Sequence, residues 1–206
     1  MPTLAAVRAV VRDHPRLAAF TFTYLAVFLV VGLAVGSPVT IPYEVLIVVL
    51  LLAVCRLDVR FGLGTGVLWG LSVWGLGHLA GGIVTIGGDR VLYNAVLPGE
   101  LLHYDRIVHA FGFGFATLAC GRVLVRWLPA GARLTAGQGL LVVLAGLGVG
   151  AVNEIVEFFA TLVLPDTNVG GYTNTGWDLV FDLLGAGIAA AWLVRSTASR
   201  PAVATA

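Results

Sequence analysis

Residues 17–36 read LAAFTFTYLAVFLVVGLAVG, twenty consecutive positions without a charged side chain. At ~1.5 Å of rise per residue, a helix of that length covers ~30 Å, the thickness of a bilayer's hydrocarbon core. The run exceeds the roughly 7–15 apolar residues of a signal-peptide core, so a retained transmembrane helix is expected. Ala34-Val35-Gly36 would be the place for cleavage if there were any. Downstream, Pro38 and Pro42 mark a tight turn before a second, shorter apolar run at 41–55. A third run occupies 61–86, and a polar connection follows at 87–103 with Asp89, Arg90 and Glu100. Further spans are expected at 104–125, at 139–164 ending on Pro165, and at 177–194 after a polar loop at 166–176.

Composition agrees with lipid as the main solvent. Of 206 residues, 59% are hydrophobic and only 11% are charged, against about 25% charged in a soluble domain. Glycine is abundant, at 27 residues, which suits helices in close approach within a membrane. The expected fold is an all-α, polytopic bundle of six transmembrane helices. It divides into a basic N-terminal segment at 1–16, the transmembrane domain at 17–195 and a tail at 196–206. The N-terminal segment, with Arg8, Arg12 and Arg16, reads either as an interfacial helix broken at Pro15 or as a disordered tail. Every basic residue is Arg, and with the N-terminus inside ten lie on that side and two, Arg90 and Arg106, on the other. This positive-inside bias places both termini in the cytoplasm. The expected location is the plasma membrane, specifically a bacterial inner membrane. Cys55 and Cys120 fall near the cytoplasmic helix ends, where no disulfide is expected.

Charge is costly within a bilayer, at ~2.5–3.5 kcal/mol per residue even on insertion scales, so each embedded polar group calls for a reason. With this topology they gather in the outer half: Glu44, His78, Asp105, Arg106, His109, Asn153, Glu154, Glu157, Asp178 and Asp182. From the expected helix ends, His109 and Asp182 sit roughly 7 Å deep and Glu154 roughly 15 Å. Helical spacing aligns Asp105, His109 and Gly112 on one stripe, and Asp178, Asp182 and Gly185 on another. Gly146, Gly150, Glu154 and Glu157 form a third, and His78, Gly81 and Gly82 a fourth. Small residues mark helix–helix contacts, so the polar groups on the same stripes should face into the bundle. DRIVHAFGFG at 105–114 and DLVFDLLGAG at 178–187 share D-x-x-x-[HD]-x-x-G-x-G, which chance or an internal duplication would equally explain.

Several roles fit this constellation. Buried ion pairs could fix helix register, although six carboxylates face one embedded arginine and two histidines, and like charges in a low-dielectric site cannot all stay ionised. A divalent metal ion is a second reading, with His78, His109, Glu154 and Glu157 as nitrogen and oxygen donors. A third is catalysis on a lipid head group, with Asp105, Arg106, His109, Glu154, Glu157, Asp178 and Asp182 as the active residues and Arg106 as an anion clamp. Proton- or cation-coupled transport is a fourth. The segment 170–176 could fold over the pocket as a loop, with Thr175 capping the next helix. The tryptophans read as interfacial anchors or packing.

Four pieces carry a family likeness: His78-x-x-Gly81-Gly82, Tyr104-Asp105-Arg106-x-x-His109 with Gly112-Phe113, Glu154-x-x-Glu157-Phe158, and Asp178-x-x-x-Asp182-x-x-Gly185-Ala186. In this combination the chain resembles the YjdF-type family of predicted inner-membrane proteins, and more distantly the VanZ-like proteins. Where the family pattern looks like G-D-x-W-D, this chain has Thr175-Gly176-Trp177-Asp178 and no acid before the tryptophan. The resemblance implies a small helical membrane protein of the cell envelope and carries no mechanism. The expected function is an outward-facing polar pocket that binds, or chemically processes, a lipid head group or small polar ligand. Its expected partners are the lipid bilayer and that ligand, with no nucleic acid.

Overall fold

A computed structural model describes residues 3–88, 90–96, 102–129, 131–163, 167 and 169–198. Among them are seven α-helices: α1 Thr3–Asp13, α2 Pro15–Ala34, α3 Thr40–Phe61, α4 Thr65–Ile83, α5 Tyr104–Trp127, α6 Ala136–Val163 and α7 Gly171–Ala198. Six of these, α2 to α7, are long and apolar enough to cross a membrane. Large apolar side chains such as Val30, Leu141, Leu162 and Ile188 stand more than half exposed on the outside of the bundle, the arrangement expected where lipid replaces water. Asp89, Glu100, the Leu164–Pro165 end of the expected fifth span and the tail beyond Ala198 lie outside the described residues.

The N-terminal segment is the helix α1. Its buried residues Ala6 and Val10 lie four apart on one face, and Arg56 of α3 donates to Thr3 Oγ1 at 2.9 Å. Pro15 then begins α2, because a first-turn proline loses no helical hydrogen bond.

Three expected boundaries are corrected. The second span does not end at Cys55: α3 carries Arg56, Asp58 and Arg60 inside its last turns and stops at Phe61. The stop is built by Gly62 in a left-handed conformation, φ 66°, and by Asp58 Oδ1 accepting from the Leu63 amide at 2.9 Å. The third span is correspondingly shorter, since α4 begins at Thr65 and ends at Ile83, and Thr85–Ile86 instead pairs with Arg90–Val91 as a small antiparallel hairpin. The segment 171–176, expected as a loop, is the first part of α7. Gly171, φ 75°, supplies the turn into that helix, and Thr175 is therefore not its cap.

Packing follows the small-residue stripes. A Cβ on Gly185 of α7 would run into the carbonyl oxygen of Ala110 on α5, and one on Gly114 would lie 3.3 Å from the Gly185 carbonyl oxygen. The two parallel helices thus touch backbone to backbone. On α6, a Cβ on Gly146 would strike Thr117 and one on Gly150 would strike the Asp182 carboxylate. Gly112 makes room for Trp74, Gly81 for Tyr93 and Gly82 for Tyr43. Apolar clusters complete the bundle, one around Leu63, Val67 and Leu68, another around Ile47, Leu79 and Ile83, a third around Val142, Ala190 and Leu193.

Candidate functional site

α5 and α7 begin, and α6 ends, at the same end of the bundle, the one bearing the 85–103 connection. His109 lies five residues into α5, ~7.5 Å from its start, and Glu154 nine residues from the end of α6, ~13.5 Å. Because α7 starts at Gly171, Asp182 lies eleven residues in, ~16 Å from the helix start and much deeper within its helix than the sequence implied. The first turns of α7 reach the site through Asn174, and the acids still meet.

The imidazole of His109 is the hub. Its Nδ1–H donates to Asp182 Oδ1 at 3.0 Å, and Glu154 Oε1 lies 4.0 Å from the same nitrogen. Nε2, on the opposite side of the ring, is 3.7 Å from Asp105 Oδ1. Asp178 and Asp182 are 1% and 0% exposed, and His109 and Glu154 are also buried. Asn174 joins two of the acids: its side-chain amide donates to Asp105 Oδ2 at 3.0 Å and to Asp178 Oδ2 at 2.5 Å. Asn153 donates to Glu157 Oε1 at 2.8 Å.

Hydrogen bonds satisfy only part of this set. Asp178 Oδ1, Asp182 Oδ2 and both oxygens of Glu154 are buried without a hydrogen bond among the described residues. Unpaired buried acceptors cost about 1–3 kcal/mol each, and more when charged. Four such oxygens lie in this cluster, those of Asp178, Asp182 and Glu154.

Other expected site residues are placed differently. Arg106 lies with its guanidinium 4.7 Å from the Trp177 ring centre and 6.0 Å from that of Phe181, a cation–π stack that ties α5 to α7. His78 is not in either group of potential metal ligands around His109. Its Nδ1 shares a 2.5 Å hydrogen bond with the Tyr93 hydroxyl, and Tyr43 and Trp74 pack against the ring. Burial pushes the Tyr93 phenol upward from its ordinary pKa, so the hydroxyl stays protonated. Glu44 is buried on α3, within electrostatic reach of Tyr24. Tyr93→Phe removes the hydrogen bond to His78 and should lower stability by about 1–3 kcal/mol. Chemical unfolding of the purified protein would check this, and a midpoint equal to wild type would refute the bond.

The sequence carries no sign of Tyr93, and its reading places Asn174 in a loop over the pocket. Asn174 and Asp178 are four apart, a spacing that signals contact once 171–176 is taken as helix. Nothing local marks Tyr93, which reaches His78 from the short helical turn Leu92–Asn94.

An apolar cavity lies elsewhere in the bundle. It measures about 520 Å³, is almost wholly apolar and is lined by residues such as Leu50, Val54, Ala116, Val123 and Ala145. Phe113 lines it and also packs against His109, at 5.4 Å between ring centres. The acid cluster is therefore a buried polar core and not the wall of this cavity.

No curated protein and no solved structure matches the chain. Residues 16–199 match the family described as predicted membrane protein, DUF2238. That match spans all six apolar helices and every residue of the cluster, and the chain belongs to this family of predicted membrane proteins.

Proposed function

We propose that this membrane protein binds a small polar ligand or lipid head group at the outward-facing end of the bundle, in the site built around His109. The arginine distribution supports the orientation, since ten of twelve lie toward the opposite side. The location this implies is a bacterial cytoplasmic membrane with the site turned to the cell envelope. One observation carries the reading: Asp105, Glu154, Glu157, Asp178 and Asp182, from three helices, surround a single imidazole, with several carboxylate oxygens unpaired. A ligand for such a site brings positive charge, either as an ammonium group or as a cation bridging to phosphate. Chemical processing would use the same residues, with His109 beside carboxylates in distinct surroundings as acid and base.

A structural role is the second reading, favoured by the position of the cluster beside the tight α5–α7 seam at Gly185. Glu154→Gln and His109→Gln separate the two. Native mass spectrometry of each variant, released from bilayers of phosphatidylethanolamine and phosphatidylglycerol, would measure lipid retention, with thermal unfolding measured in parallel. The binding reading expects retention to fall about tenfold in both variants, ~1.4 kcal/mol, with unfolding midpoints close to wild type. Unchanged retention with a large loss of stability would support the structural role instead.

A further inference from the structure

We infer that the cation at this site is a divalent transition metal held by His109 Nε2, Asp105 and Asp178. The inference rests on the ligand-binding reading and names the chemistry of that same site. Asp105, His109 and Asp178 offer one ligand atom each, all within 4.8 Å of one another. Bonds of ~2.0–2.1 Å to a tetrahedral ion need ligand atoms about 3.3 Å apart. The observed Asp105 Oδ1 to Nε2 separation of 3.7 Å lies within a small side-chain adjustment of that.

The hydrogen bonds around the three donors select this set. With Asp182 taking up His109 Nδ1, Nε2 is the ring nitrogen left for a ligand, and it faces Asp105. A carboxylate behind a ligating histidine is the usual outer support of a metal site. Asn174 occupies Oδ2 of both Asp105 and Asp178. One amide therefore holds two carboxylates in place and leaves their Oδ1 atoms for a ligand. Asp178 Oδ1, in a side chain 1% exposed, is buried and unpaired. That atom is independent evidence of a missing partner, since a carboxylate oxygen in this position is stabilised by a cation or a proton.

A competing set, His109 with Glu154 and Glu157, is also compact. Glu154 faces Nδ1, however, and that nitrogen is committed to Asp182. Glu154 is thereby left on the Nδ1 side of the ring, with both of its oxygens unpaired among the described residues. One nitrogen and two oxygens suit zinc or manganese better than calcium or magnesium, which take all-oxygen sites.

The test uses full-length protein in detergent, stripped with chelator, then equilibrated with zinc or manganese and assayed by elemental analysis and calorimetry. Wild type and Glu44→Gln should each take up about one ion per chain. Asp105→Asn and His109→Gln should lose uptake, and Asp182→Asn should bind about 10–100-fold more weakly. Asp105 lies in the first turn of α5 and is partly exposed, so its variant guards against a fold lost with His109. Absence of uptake by folded wild type, or uptake unchanged in both Asp105→Asn and His109→Gln, overturns the metal. If wild type takes no ion but still retains lipid better than Glu154→Gln, only the metal inference fails. Loss of both differences removes the ligand reading with it.

Discussion

Gly185→Ala lowers the unfolding midpoint of the purified protein by several degrees, while Gly187→Ala, two residues along the same helix, leaves it unchanged or raises it. In an isolated helix both changes should stabilise by up to ~1 kcal/mol, since alanine is the better helix former. The tertiary contacts reverse the sign at one position only. A Cβ at Gly185 would overlap the Ala110 carbonyl oxygen, whereas nothing lies within 4 Å of one at Gly187. Backbone cannot rotate aside as a side chain can, so α5 and α7 must separate. Overpacking of this kind costs about 1–3 kcal/mol. Separation would also pull Asp182 from His109, coupling the seam to the site. Thermal unfolding of both variants side by side is the measurement, and a Gly185→Ala protein as stable as wild type would mean that the seam is not closed as described.

The pair His109 and Asp182 should show strong energetic coupling in a double-mutant cycle. His109→Phe leaves the Asp182 carboxylate, 0% exposed, without its donor, and stranding one partner of a buried pair costs about 3–5 kcal/mol. Asp182→Leu leaves an unpaired imidazole N–H, at about 1–3 kcal/mol, offset by one fewer acid in a crowded cluster. The double variant removes both orphans together and should be more stable than the sum of the single changes predicts, by at least ~1 kcal/mol. His109→Gln, which retains an N–H donor, should cost far less than His109→Phe. Denaturant unfolding in mixed micelles would read all four proteins. Additive losses would show that the 3.0 Å contact contributes nothing specific.

Hydropathy made the membrane fold legible because the cost of exposing backbone and charge to lipid allows few alternatives: a long uncharged run must be a helix. The 3.6-residue period likewise put Asp105 with His109 and Asp178 with Asp182 on faces shared with glycines, and those glycines do lie at helix contacts. Helix ends were read less well at α3 and α7. Arg56, Asp58 and Arg60 looked like a loop, but arginines tolerate the last turn of a spanning helix by reaching toward the interface. Glycine and asparagine at 170–176 looked like a turn, but in the fold Asn174 is held by two carboxylates and the helix continues through it.

By itself, the sequence established a membrane protein with six helices long and apolar enough to cross a bilayer, and it set Asp105 with His109 and Asp178 with Asp182 on shared helix faces, since each of these depends on one segment alone. Only the tertiary structure decided that Asp182 and not Glu154 holds His109 Nδ1, that Asn174 clamps Asp105 to Asp178, and that His78 turns to Tyr93. Those choices depend on the relative height and rotation of helices distant in sequence. They are set by where glycines let backbones touch, and no periodicity within a single segment encodes them.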